Sequence, residues 1–150
     1  MARNQTHIGA SPERIFEVLS DPDSYGYWVV GSERIRGAEP DFPKRGARFH
    51  HTVGFGPFKI NDHTQVLDLD PPRLLKLRAR ARPLGTAHVT LEIEPEGDGS
   101  RVTMIEDPGD AMTSLVFNPL THLLVRRRNV KSLDRLRELA EGSGEHPDKG

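Results

Sequence analysis

Between Gly31 and Pro108 apolar and polar residues alternate with a period of two, in segments cut by Gly56-Pro57, Pro71-Pro72, Pro83-Leu84-Gly85 and Asp98-Gly99. Such alternation places one row of side chains in a core and the other in water. Closely spaced turn residues join neighbouring strands directly, so the pattern predicts an antiparallel meander. The predicted strands are 32–38, 47–55, 58–69, 74–82, 86–95 and 100–107, preceded by a short strand carrying Asn4, Thr6 and Ile8. Ser11-Pro12-Glu13 supplies an N-cap hydroxyl, a proline for the first helical position and an acid for the first turn, so a helix is expected from Pro12 with Ile15, Phe16 and Leu19 as its apolar stripe. Ser20-Asp21-Pro22 ends it and caps a second short helix through Tyr25 to Trp28. Asn118-Pro119 caps a last helix over 119–141, about 34 Å long at 1.5 Å per residue. Its expected stripe is Leu120, Leu123, Leu124, Val130, Leu133 and Leu136, interrupted by Arg127, whose guanidinium should point to the sheet or its rim.

Turn chemistry extends this to a register. A two-residue loop at Gly56-Pro57 makes Phe55 face Phe58, Val53 face Ile60 and Phe49 face Thr64, with His51 opposite Asp62 on the apolar face and His50 opposite His63 on the other. A loop at Asp98-Gly99 pairs Pro95 with Val102, Ile93 with Met104, Leu91 with Glu106 and, outside, Glu96 with Arg101. Bridging Arg82 to Thr86 by Pro83-Leu84-Gly85 sets Ala79 against Val89, Leu77 against Leu91 and Lys76 against Glu92. Near Val66-Leu67-Asp68-Leu69 the apolar phase switches parity, which predicts a β-bulge. An antiparallel sheet with one apolar face needs a cover, and the last helix is the long element available.

The chain has 150 residues, 21 basic and 22 acidic, seven histidines and no cysteine. That length fits one domain, expected over 1–141, with a disordered tail over 142–150. Without cysteine there is no disulfide framework and no thiolate metal site, and no metal or other cofactor is expected. Net charge near zero argues against nucleic acid as a partner, and the basic run Arg73 to Arg82 falls on the outer face beside Glu92 and Glu94. Neither a membrane span nor a signal peptide is expected, so the protein is read as cytoplasmic. A homodimer is left open.

Order and motifs together resemble the START-like, or SRPBCC, superfamily, in its polyketide cyclase/dehydrase and lipid-transport-like branch. The resemblance covers Asn4 to Glu141. It rests on Ile8-Gly9-Ala10-Ser11-Pro12-Glu13 with Ile15-Phe16 and Leu19-Ser20-Asp21-Pro22, on Trp28, on Leu69-Asp70-Pro71-Pro72-Arg73-Leu74, on Gly97-Asp98-Gly99-Ser100-Arg101-Val102, and on Arg128 with Ser132-Leu133-Asp134-Arg135-Leu136. It implies an α+β helix-grip fold: a seven-stranded curved antiparallel sheet around a long C-terminal helix, with two short helices after the first strand. It further implies a small, mostly apolar ligand, polyketide- or lipid-like, in an internal cavity. The shared motifs are turn, cap and packing residues, so activity has to be argued from the cavity's polar groups.

His51 with Asp62 is the candidate catalytic pair, a base and an orienting acid able to move a proton in a cyclase or dehydratase; the alternative is a satisfied polar pair at the sheet edge. Arg127 or the Tyr25 hydroxyl would polarise a carbonyl. Tyr25 and Trp28, with Tyr27, are expected at one lip of the cavity, and Phe49, Val53, Thr64, Ala79, Val89, Met104 and Leu123 along its lining. Ala79, Ala81 and Ala87 either enlarge that space or let the helix approach closely. Glu106 faces inward, where it meets Arg127 in an ion pair or serves as an acid/base. His50, His63 and His88 are read as solvated side chains. The other class open to the same fold is a non-catalytic protein-interaction or chaperone-cofactor-type module.

Overall fold

A computed structural model of the chain describes residues 2–30, 32–55, 57–81, 85–108 and 119–142. The elements follow in the order β1 (Ala2–Ile8), α1 (Pro12–Leu19), a 3-10 turn (Pro22–Ser24), α2 (Tyr25–Trp28), β2 (Ser32–Ala38), β3 (Arg48–Phe55), β4 (Phe58–Asp70), β5 (Leu74–Ala81), β6 (Gly85–Glu96), β7 (Gly99–Pro108) and α3 (Pro119–Glu141). The seven strands form one antiparallel sheet ordered β1-β7-β6-β5-β4-β3-β2. Because β1 and β2 are opposite edges of that sheet, the chain crosses its whole width between them, and α1 and α2 make the crossing. Ser11 accepts from the Arg14 amide at 3.1 Å and starts α1, while Asp21 accepts from the Asp23 amide at 3.0 Å and starts the turn that leads into α2.

The β3–β4 register is the one predicted, with Phe49 opposite Thr64, His51 opposite Asp62 and Val53 opposite Ile60. The bulge also falls where the parity switches, between Val66 and Asp68. Two other registers differ from expectation. Between β6 and β7 the loop is Gly97-Asp98, so Ile93 faces Val102, Leu91 faces Met104 and Val89 faces Glu106. Gly97 takes the left-handed φ of 59°, which glycine adopts without strain. Gly99 belongs to the strand, where a Cβ would lie 2.2 Å from the Ile8 carbonyl oxygen. Between β5 and β6, Ala81 pairs with Gly85, so Ala79 faces Ala87, Leu77 faces Val89 and Lys76 faces Thr90. Both differences move partners by two residues, and every side chain keeps its predicted face. Arg101 opposes Glu94, yet its Nε donates to Glu96 at 2.5 Å, so the expected ion pair forms on the diagonal.

The core is built from Ile8, Ile15, Leu19, Trp28, Leu75, Leu91, Ile93, Val102, Leu133 and Leu136, all essentially inaccessible. The stripe expected on α3 is only half right. Leu133 and Leu136 are buried with Leu139, Ala140, Asn129 and Ser132, whereas Leu123, Leu124 and Val130 are 47%, 58% and 51% exposed. At 100° per residue, positions 129, 132, 133, 136 and 140 share one arc, and 123, 127, 130 and 134 share the opposite one, so the predicted stripe joined two faces. The side chain of Leu120 lies outside the described residues. The inner arc seats α3 mainly on β1, α1 and α2. Arg14 fixes the far end, donating to the carbonyls of Ala140 at 3.3 Å and Leu139 at 3.2 Å, a cation at a helix C-terminus. The expected N-cap Asn118 and the tail over 143–150 lie outside the described residues.

Candidate functional site

The registers lay a distinct surface across the concave face. Phe49, Thr64, Ala79 and Ala87 follow one another across β3, β4, β5 and β6, and three of these four side chains are short. The next row, Val66, Leu77, Val89 and Glu106, is taller. A low strip therefore runs across the sheet, with His51 and Asp62 beside its β3–β4 end; on β7 its row continues to Pro108, and Glu106 stands in the taller row next to it. Four strand spacings separate His51 from Glu106, about 19 Å along the sheet.

At the first end, His51 and Asp62 are buried at 5% and 7% exposure, on the inner face as parity required. No hydrogen bond joins them. Asp62 Oδ1 accepts from the His63 amide at 2.9 Å and lies 3.4 Å from His63 Nδ1. Neither ring nitrogen of His51 makes a hydrogen bond of good geometry, although the ring lies against the His63 main chain. Burial holds the His51 pKa below its ordinary value; the His63 main chain and the Asp62 charge pull the other way, while the His63 and Arg36 charges reinforce the depression. The imidazole is thus neutral at neutral pH, with one donor and one acceptor nitrogen. Arg36, which falls within the Ile35–Gly37 irregularity of edge strand β2, bridges the carbonyl oxygens of His51 at 3.3 Å and Asp62 at 3.1 Å. Reading the sequence missed this residue, because the β2–β3 irregularity leaves no parity switch to detect.

At the other end Glu106 is buried, as expected, but its partner is different. Arg127 is exposed on the outer arc of α3. Arg128 Nη2 donates to Glu106 Oε1 at 2.5 Å, and buried Asn129 Nδ2 donates to the same oxygen at 3.1 Å. Arg127 is one step out of phase: at 100° per residue its neighbour Arg128 borders the buried arc.

The two aromatic residues expected at a lip are core residues. Tyr25 is 2% exposed and its hydroxyl donates to the Leu19 carbonyl at 2.7 Å, which leaves no proton to polarise a ligand carbonyl. Burial, with the Asp21 charge, pushes its pKa far up. Trp28 is 1% exposed. Tyr25 stacks between Trp28 at 5.0 Å and Phe49 at 4.7 Å, and Phe49 meets His51 at 5.8 Å, so one aromatic chain leads from α2 to the His51 end. Tyr27 is half-buried, bonded to Glu138 and covered by Arg135 at 5.6 Å. Phe49, Thr64 and Met104 are buried on the inner face, while Val53, Ala79 and Val89 are partly buried there. Leu123 lies outside this surface. The side chain of Ala81 is outside the described residues.

On the outer face the His50 and His63 rings meet edge to face at 6.2 Å, and Arg78 Nε approaches His88 Nε2 at 3.4 Å. Among the described residues no three histidines or carboxylates converge as metal ligands, and no helix is long and apolar enough to cross a membrane.

A seven-stranded antiparallel sheet with two short helices after its first strand and a long C-terminal helix defines a helix-grip domain. The family described as polyketide cyclase / dehydrase and lipid transport matches residues 2–141; the chain belongs to it. Among solved structures, the protein TTHA0849 from Thermus thermophilus shares 17% identity with a TM-score of 0.73, over 96% of this chain and 99% of that one. CalU16 from Micromonospora echinospora shares 16% with a TM-score of 0.64, over 94% and 76%. The Aha1 dimer from Colwellia psychrerythraea shares 17% with a TM-score of 0.66, over 97% and 98%. At these identities the likeness is one of fold. No curated relative matches the chain in sequence.

Proposed function

We propose that the protein binds a small, mostly apolar molecule on the concave face of its sheet, along the strip of Thr64, Ala79 and Ala87. The observation that carries this reading is the register itself, which sets the short side chains Thr64, Ala79 and Ala87 in one row beside buried His51 and Asp62. The family description, with its polyketide and lipid substrates, agrees with an apolar ligand, and we read the protein as a cytoplasmic one. A screen of aromatic and acyl compounds by thermal shift tests it, since a ligand that binds only the folded state raises the melting temperature. No shift with any compound, together with an unliganded mass for protein purified from its own host, would remove the reading.

Cyclase or dehydratase chemistry is a further step of the same proposal, with His51 as the base that takes a proton beside a ketone and Asp62 as a nearby charge. Of the carbonyl-polarising groups expected from sequence, the Tyr25 hydroxyl is bonded to the Leu19 carbonyl and Arg127 is exposed on the outer arc of α3, which favours binding over chemistry. Turnover lost in His51→Ala and Asp62→Asn with binding retained would establish the step. A second reading, an interaction module or homodimer of the same fold, draws on Leu123, Leu124 and Val130, which α3 exposes to solvent. Oligomerisation abolished by Leu124→Ser, with no ligand found, would favour it.

A further inference from the structure

Among the described residues, three large apolar side chains stand exposed, and all three belong to the first half of α3: Leu123, Leu124 and Val130. Single exposed leucines are ordinary on a protein surface, but a cluster on one element marks a contact. These three share their arc with bases. At 100° per residue the exposed positions run Arg126, Val130, Leu123, Arg127, Lys131, Leu124 across about 160° of the helix. Val130 and Leu123 thus form an apolar centre with an arginine on either side. No acid occurs between Pro119 and Leu133, and the first on the helix is Asp134. Elsewhere exposed bases meet acids, Arg45 with Asp68, Lys59 with Glu33 and Arg101 with Glu96. On α3 only Arg128 does so among the described residues, with Glu106, which leaves Arg126, Arg127 and Lys131 as uncompensated charges.

We infer that this arc is a membrane-docking face, which lays the first half of α3 along a bilayer surface containing anionic phospholipid. Each half of the pattern taken alone would fit another occupant. Apolar residues without bases suit a protein surface, and bases without apolar residues suit any polyanion, nucleic acid included. Interleaved, they match the boundary between headgroups and acyl chains. Leu123 and Val130 enter the acyl region there, while Arg126, Arg127 and Lys131 lay their stems alongside and keep their charges at the lipid phosphates. A second copy of the chain fits less well, because an isologous contact sets the same acid-free surface, with its three cations, against itself. The patch is small, so docking is reversible. It lies on the arc opposite the seat of α3 on β1, α1 and α2. A docked chain therefore keeps its fold, and the inference does not depend on what the concave face holds.

The test is sedimentation of the full chain with sucrose-loaded vesicles, made of phosphatidylcholine alone or of an equal mixture of phosphatidylcholine and phosphatidylserine. Pelleting is expected with the mixture and not with phosphatidylcholine alone, and it should fall as salt is raised. Each base near such a surface is worth about fivefold in affinity, so Arg126→Gln, Arg127→Gln and Lys131→Gln combined should weaken binding about a hundredfold. Leu123→Gln with Val130→Gln should weaken it at least about tenfold. All five positions are exposed, so the melting curves of these variants should stay close to that of wild type. Equal pelleting with both kinds of vesicle would overturn the inference. So would binding that Leu123→Gln and Val130→Gln leave unchanged, because the contact would then be one of charge alone, open to any polyanion. Absence of pelleting would also overturn it, and self-association lost in the same two substitutions would then name a second copy as the occupant. The dependence of wild-type pelleting on phosphatidylserine and salt reads docking directly should a variant fail to fold.

Discussion

Truncation of two leucines on α3 separates the buried half of that helix from its exposed half. Leu136 has no exposed surface, so Leu136→Ala removes the transfer free energy of the lost atoms and leaves a cavity, a combined loss of about 2–5 kcal/mol. Leu124 is 58% exposed. With roughly two-fifths of the about 1.5–3 kcal/mol that full burial brings, no cavity, and alanine's slightly better helix preference, Leu124→Ala should cost under about 1 kcal/mol. For a urea dependence of about 1–3 kcal/mol per molar, the two midpoints should differ by about 1 M. Trp28 fluorescence follows the transition, because that residue is buried in the core. Equal losses would refute the reasoning: the first turns of α3 would then be covered in solution, and its seat would not be confined to β1, α1 and α2.

Three further outcomes are expected. His51 carries a depressed pKa, so the unfolded chain binds more protons than the folded one as pH falls below about 6.5, and stability should drop there by up to about 1.4 kcal/mol per pH unit until the folded pKa is reached; urea titrations at pH 7.5 and 5 should show a steeper loss in wild type than in His51→Gln, and parallel losses would contradict it. Arg128→Met leaves the Glu106 carboxylate buried with Asn129 alone, at a cost of about 1–3 kcal/mol, whereas Arg127→Met should stay within about 0.5 kcal/mol; the reverse order in denaturant midpoints would return Arg127 to the site. Gly99→Ala drives a Cβ into the β1 backbone and should cost about 1–3 kcal/mol or more, while Gly37, with nothing within 4 Å, should accept alanine almost neutrally; amide exchange along β1 checks the first.

Face assignment was legible in the sequence because it depends on parity alone. The β5–β6 and β6–β7 pairings each displace the expected partners by two residues, and a displacement of two returns every side chain to the same side of the sheet. His51, Asp62, Thr64 and Glu106 are therefore inside, although Glu106 faces Val89 and not Leu91. Helix phase is less forgiving, since a step of one residue turns the side chain by 100°. That step separates Arg127 from Arg128, and it placed Leu123 in the core. The fates of Tyr25 and Trp28 were not legible: a lip and a core position ask for the same aromatic residues, and the crossing of α2 over the β2–β3 corner decides between them. Arg36 and Ser32 lie on an irregular edge strand, where register has no turn or hydrophobic phase to pin it.

Charge at the His51 end makes a last expectation sharper. Asp62 is buried beside His51, its Oδ1 held by the His63 amide, and Arg36 spends its donors on main-chain oxygens. A ligand carboxylate seated against His51 would place a second negative charge about 6 Å from the first, given cross-strand Cβ separations of about 5 Å. At an effective dielectric near 20 that repulsion is about 3 kcal/mol, before the carboxylate's own desolvation is counted. A phenol or ketone meets neither cost. 2-Naphthoate should therefore bind at least about tenfold more weakly than 2-naphthol at pH 7, and Asp62→Asn should narrow that gap by raising naphthoate affinity selectively. Naphthoate binding as tightly as naphthol in wild type would show that an unscreened cation faces His51, and the repulsion from Asp62 would have to be abandoned.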